Sequence, residues 1–235
     1  MSGLESGEQG DRRYYQRPLN FRFIWNLAHA PRRRMYERFV SALKPQAPER
    51  VLDLGAANLP EPLENMFELY YPHADKITAA GVEDCSFLEK RHPGLKFVKT
   101  EPGKPLPWPD GHFELGFSNG VIEHVGSRAQ QKLFLSEFLR VTKRAFLATP
   151  NRWFPLEMHT RLPFVHWLPA PIFRGLLEAI GLSFYADEKN LNLLTAGELL
   201  ALVPEKNRAK ARLEHNTAFG FPSNLMLIVG GGGES

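Results

Sequence analysis

Cysteine is all but missing from this chain: Cys85 is the only one in 235 residues. A lone thiol can form no internal disulfide and no cysteine-based metal cluster. Long apolar runs are missing too, and nothing approaches the ~18–20 residues of a membrane span. The polar stretch from Met1 to Arg13 lacks the apolar core of a secretory signal, so the expected location is cytoplasmic. There is no internal repeat. The three-glycine dinucleotide fingerprint is also absent, which leaves a nicotinamide dehydrogenase poorly supported.

What is there suits a folded domain. Hydrophobic residues make up 43% and charged residues 23%, enough to bury a sizeable core and too apolar for wholesale disorder. The length fits one large domain, or one with a small appendage. The net charge of +3 is uneven: residues 1–50 carry ten basic and five acidic groups, and the rest is slightly acidic. A basic amino-terminal portion with Arg32-Arg33-Arg34 suits phosphate, an anionic lipid surface or an acidic ligand, or a plainly solvated helical face. Peripheral membrane contact through these helices is one expectation. Nucleic acid is not expected as a partner, because the excess charge stays in that portion and no nucleic-acid module is visible.

Periodicity sets the elements. Residues 18–44 read as two helices with a break near Ala30–Pro31, an extension over residues 1–45 preceding a domain over 46–235. Short apolar strands follow at Arg50–Gly55, Lys76–Val82, Leu95–Val98, Phe113–Ser118 and Arg144–Ala148, the last stopped by Pro150. Helices are expected over Pro62–Tyr70, Ser86–His92, Ser127–Val141, Ile172–Ile180 and Thr195–Val203. Ser127 and Gln130 form a capping box. The segments Lys210–Asn216 and Asn224–Val229 read as a strand pair.

Alternating strands and helices predict an α/β fold, a parallel sheet covered on both faces. Ligands in such sheets bind beyond the carboxyl ends of the strands. That brings Asp53–Asn58, Glu83–Asp84, Thr100–Glu101, Ser118–His124 and Thr149–His159 to one crevice. The turn at Gly55 is either a backbone cradle for a ligand or an ordinary strand-to-helix turn. Glu83 and Asp84 either accept hydrogen bonds from a ribose diol or are a solvated acidic pair.

Taken together, Val51-Leu52-Asp53-Leu54-Gly55, Gly81-Val82-Glu83-Asp84, the loop Leu106–Glu114 and the segment Ser118-Asn119-Gly120-Val121-Ile122-Glu123-His124-Val125 resemble the class I S-adenosylmethionine-dependent methyltransferases. The pattern is most similar to the methyltransferase type 11 group related to ubiquinone and menaquinone methyltransferases, and covers about residues 50–150. The resemblance implies a Rossmann-like seven-stranded sheet with an antiparallel last strand, and S-adenosylmethionine as cofactor. It implies Asp53, Gly55 and Ala57 beside the methionine part, Glu83 on the ribose with Asp84 next to it, Thr100 or Glu101 near adenine, and Ser118 and Asn119 toward the sulfonium. Two glycines usual in the family's first turn are replaced here by Ala57 and Leu59. A non-catalytic, regulatory or assembly relative is therefore the alternative reading. The proline-containing tetrapeptide of base-nitrogen methylation is absent at Ser118–Val121, which counts against an RNA substrate.

Acceptor chemistry is expected from histidine, whose ordinary pKa near ~6.5 suits a base. His124 and His159 are the candidate catalytic residues. Residues 151–190 form a candidate lid rich in aromatics and prolines, or else a packed connector. Asn151, Arg152, Trp153 and Glu157 are its candidate acceptor-binding residues, for a small-molecule acceptor of apolar, lipid-linked or glycan type. Glu123 reads as structural. The remaining histidines show no metal-site spacing, no metal is expected, and Cys85 reads as a small buried hydrophobe.

Overall fold

The computed structural model describes residues 21–58 and 65–231. Helix α1 (Phe21–Leu43) leads into strand β1 (Val51–Leu54) and the short α2 (Met66–Tyr70). Then come β2 (Ile77–Gly81), α3 (Phe87–Arg91), β3 (Lys96–Lys99), β4 (Phe113–Asn119), α4 (Arg128–Val141) and β5 (Thr142–Pro150). The chain ends with α5 (Ala170–Ala179), α6 (Ser183–Ala186), α7 (Ala196–Leu202), α8 (Glu205–Arg208), β6 (Ala211–Ala218) and β7 (Phe221–Val229).

The strands form one seven-stranded sheet in the order β3-β2-β1-β4-β5-β7-β6. Strands β1 to β5 are parallel, and β7 runs antiparallel between β5 and β6. The chain direction across the sheet reverses between β1 and β4, so the ligand crevice of such a fold opens at their carboxyl ends. Period-two alternation divides the side chains between the faces. In β5, Phe146 and Ala148 join one core while Ala145 and Leu147 join the other.

The first core is aromatic. Phe39 of α1 is fully buried and meets Phe67, Phe117 and Phe146 edge-on at 5.4, 5.5 and 6.1 Å. Phe67 stacks on Phe117 at 4.5 Å. This cluster fixes α2, and with it Glu68, against the end of β4. The second core lies under α4 and α7. Both helices start with the reciprocal Ser127–Gln130 and Thr195–Glu198 capping boxes.

The expected helix break at Ala30–Pro31 does not occur, because α1 runs through Pro31. A proline inside a helix costs about 3 kcal/mol. Burial of Met35, Phe39 and Leu43 on the sheet and a bidentate Arg38–Glu214 pair hold the helix beyond it. Of the arginine triplet, Arg33 pairs with Glu37 and Arg34 donates to Thr217 O. The amino-terminal part of the expected Pro62–Tyr70 helix lies outside the described residues. The segment after β5 has a third core of its own, built on Phe173, Leu177, Tyr185 and Leu191.

Phe39→Ala should lower the stability of the whole domain by about 3–5 kcal/mol, the cost of deleting a fully buried ring. Urea unfolding measures it; a loss below 1 kcal/mol, on the same scale, would mean that α1 is not a layer of the core.

Candidate functional site

The turn after β1 requires glycine. Gly55 has φ +117°, and a Cβ there would lie 2.1 Å from Val121 Cγ2. The amides of Gly55 and Ala56 both donate to Ala80 O, at 2.7 and 3.0 Å. Next in the turn, Ala57 N–H donates to Asn65 Oδ1, and Asn65 Nδ2 donates back to Ala57 O, both at 3.0 Å. Asn65 thus braces the turn where the family's pattern has glycine. Leu59 lies outside the described residues.

Below the turn is a buried acidic pair. Asp53, from β1, and Glu68, from α2, are 7% and 3% exposed. Burial raises the Asp53 pKa well above the ordinary carboxylate range, and the neighbouring Glu68 adds to it. Burial likewise raises Glu68. Asp53 is the side-chain partner of Glu68, whose oxygens meet no donor from any other side chain among the described residues. The two acids line a cavity of about 20 Å³ with Gly55, Asn65, Phe117 and Asn119, room for one water or one ammonium group. Sequence reasoning missed Glu68, since nothing local marks a helical glutamate as buried.

The other strand ends are more open. Glu83 is half-buried at the end of β2. Asp84 is exposed and accepts from Ser86 N–H at 2.9 Å, which lowers its pKa. Glu101 is exposed and pairs with Lys104. Ser118 is buried and donates to Leu54 O at 2.7 Å, tying β4 to β1. A cleft of about 320 Å³ near Arg50, Lys76 and His112 lies toward the amino ends of the strands, away from all of these groups.

Beyond β4 and β5 stands a second polar cluster. The turn Ile122–His124 is held by Gln131 of α4, fully buried, whose amide donates to Ile122 O and Asn192 O at 2.9 and 2.8 Å. Glu123 is 1% exposed and accepts from Thr149 Oγ1 at 2.9 Å. His124 Nδ1 lies 2.7 Å from Asn190 O, and its Nε2 lies 3.9 Å from Glu123 Oε1. A carbonyl only accepts, so Nδ1 carries the hydrogen. His159 Nδ1 lies 2.7 Å from Glu157 Oε1. The two imidazoles meet edge to face, 4.7 Å apart at 86°.

Burial pushes the His124 pKa down, against the pull of Glu123. For Glu157 burial pushes up, but the His159 ring and the amides of His159 and Thr160 hold the carboxyl down at about 2. Burial would lower His159, and Glu157 outweighs it, so its pKa is raised. The structure thus unites His124 and His159 and adds Glu123, which sequence reasoning set aside as structural.

The other candidate residues after β5 are engaged within that segment and by β7. Buried Asn151 donates to Pro222 O at 3.0 Å and accepts from Trp153 N–H at 3.1 Å. Arg152 donates to His166 O and Leu168 O, and its guanidinium sits 5.6 Å from the Trp153 ring centre. Trp153 is half exposed and packs near Trp167. No helix among the described residues is long and apolar enough to cross a membrane.

No family model matches the chain, and no curated protein matches it. Solved structures do. A Burkholderia thailandensis 1,6-didemethyltoxoflavin-N1-methyltransferase, with 1,6-didemethyltoxoflavin and S-adenosylhomocysteine bound, aligns at TM-score 0.54 and 15% identity, over 88% of this chain and 80% of its own. A Mesorhizobium loti S-adenosylmethionine-dependent methyltransferase aligns at 0.50 and 13%, over 83% and 96%. A Rhodobacter sphaeroides protein named with the Zn-dependent alcohol dehydrogenases aligns at 0.56 and 11%, over 89% and 94%. At such identities the likeness is one of fold, and a fold hosts several chemistries. The chain has the Rossmann-like fold of the class I methyltransferases, with its seven-stranded sheet and antiparallel β7.

Two substitutions test this geometry. Gly55→Ala should cost about 1–3 kcal/mol through backbone strain and the Val121 clash. Adding Val121→Ala should recover part of that in a double-mutant cycle, and purely additive losses would contradict the clash. The acid pair makes the opposite contribution to that of a salt-bridged carboxylate. Its folded pKa values are raised, so its contribution is full below the ordinary carboxylate range and is lost as pH rises through the raised values. Glu68→Gln should therefore be more stable than the parent at pH 7 and no more stable at pH 4, as read from urea midpoints.

Proposed function

We propose that the chain transfers a methyl group from S-adenosylmethionine to a small-molecule acceptor. The observation that carries this reading is the buried Asp53–Glu68 pair lining a small cavity beneath the Gly55 turn. Two buried acids with no cation between them suit a ligand that brings a positive charge, and the cofactor's α-ammonium is such a group. Asp53 and Glu68 would hold that ammonium, Glu83 the ribose diol, and Asn119 would border the methyl-bearing end. When bound, the cofactor supplies an electrophilic methyl group on a sulfonium. What this chain adds is alignment and exclusion of water, an effect that reaches ~7–11 kcal/mol in well-oriented reactions.

The acceptor would enter at the His124–His159 pair, where those two residues activate its nucleophile. The lid over residues 151–190, with exposed Trp153, Phe164 and Trp167, favours an acceptor of apolar, lipid-linked or glycan type. Asn151, Arg152 and Glu157 would act by shaping this lid, since their polar groups are spent within it or, for Asn151, also on β7.

One observation favours the second reading, a relative that has lost catalysis. Asn65 occupies both the N–H and the carbonyl of Ala57, backbone groups at the turn that approaches the cofactor.

Titration calorimetry of the full chain with S-adenosylhomocysteine separates the two. The methyltransferase reading expects saturable binding, weakened about 10–100-fold in Glu83→Ala, the cost of losing charge-assisted hydrogen bonds of about 1.5–3 kcal/mol. Absence of binding at millimolar ligand would favour the non-catalytic relative.

A further inference from the structure

The cluster at the ends of β4 and β5 holds more than a pair of bases. One donor atom each from Glu123, His124 and His159 lies within 4.8 Å of the other two. Two imidazoles and one carboxylate, on a turn and a loop that are separate in sequence, lie close together. We propose that Glu123, His124 and His159 bind a divalent first-row transition-metal ion, of the Zn²⁺, Fe²⁺, Co²⁺ class, with an open position toward the acceptor.

The hydrogen bonds around the three residues support this independently of their proximity. Metal-bound histidines ligate through one nitrogen and donate the other N–H to a carbonyl or carboxylate, which fixes the tautomer and the ring. Both rings here are set that way. Nδ1–H of His124 goes to the Asn190 carbonyl, and Nδ1–H of His159 goes to the Glu157 carboxylate. Each leaves Nε2 as the ligating atom. In His124 that nitrogen faces Glu123 Oε1 at 3.9 Å. Glu123 is itself oriented by Thr149 Oγ1 on its other oxygen. Every ligand therefore has an orienting partner.

The site is also reachable. The side chains of His124 and His159 are 20% and 15% exposed. Beside Glu123, a Cβ built at Gly120 would meet Glu123 Oε1 at 3.6 Å and nothing else among the described residues. Three protein ligands and an open position are the pattern of catalytic zinc, and two histidines with one carboxylate also suit Fe²⁺. The inference rests on the proposed methyl transfer only in what fills that position. An acceptor hydroxyl brought there would have its pKa lowered by the ion and would lose its proton to solvent, leaving its oxygen as nucleophile.

The test uses the full chain, stripped with a chelator and titrated with Zn²⁺ by calorimetry. One ion per chain is expected, with affinity falling at least 100-fold in His124→Ala and His159→Ala and by about 10–100-fold in the orienting variant Glu157→Gln. Because a buried variant can fail to fold, the unaltered protein is read as well, by nitrogen-15 shifts of its eight histidines. Zn²⁺ should move the Nε2 signals of two histidines and leave their Nδ1 protonated. Absence of a stoichiometric site, shifts confined to other histidines, or folded variants that bind Zn²⁺ as well as the parent would each overturn the proposal. S-adenosylhomocysteine titrated separately keeps the two failures apart: a chain that binds it but not Zn²⁺ refutes only the metal site, and the reverse refutes only the methyl-transfer reading.

Discussion

A carboxylate taken out of water costs several kcal/mol unless N–H groups or an opposite charge meet it. This chain buries four around its crevice, and the arrangement of the site follows from how each is met. Glu157 is met completely, by the ring of His159 and two backbone amides. It thereby folds the start of the lid into a tight turn and sets the orientation of one imidazole. Glu123 is met on one oxygen by Thr149, and its turn is held in place by Gln131 from α4. The sheet, the helix behind it and the lid all converge on this corner.

Asp53 and Glu68 are the opposite case, since nothing positive reaches them among the described residues. The aromatic cluster around Phe39 and Phe67 forces α2 against β4 and so carries Glu68 into the small cavity under Gly55. Packing energy from the rings holds an arrangement that electrostatics alone would oppose. Functional sites are where such local cost is found, offset by the rest of the fold. The two ends of the crevice therefore differ in kind. One holds two buried acids whose pKa values burial raises, and the other holds two oriented imidazoles and a carboxylate.

Much of the fold was legible because its signals are local. Apolar strands over Arg50–Gly55, Lys76–Val82 and Phe113–Ser118, the capping box at Ser127 and the terminal strand pair all follow from spacing and turn chemistry. The sheet order then gave the crevice. What was not legible depends on distant contacts. Pro31 reads as a stop, yet the sheet face beneath α1 carries the helix through it. Glu68 and Glu123 look like ordinary glutamates in sequence, because only tertiary packing decides that a carboxylate is buried. Asp84 and Asn151 stand at the predicted strand ends, but Ser86 N–H engages the first, and Trp153 N–H and the Pro222 carbonyl of β7 engage the second. The His124–His159 pair was visible as two separate candidates, while the atom-level meeting with Glu123 required the fold.

The central claim is that the acid pair under Gly55 receives the cofactor's charged end. A crystal structure of the full chain grown with S-adenosylhomocysteine tests it most directly. The account predicts the ligand's amino group within hydrogen-bond distance of Asp53 and Glu68, and its ribose hydroxyls on Glu83. A crevice left empty at saturating ligand, or a ligand bound with its amino group away from both acids, would contradict it.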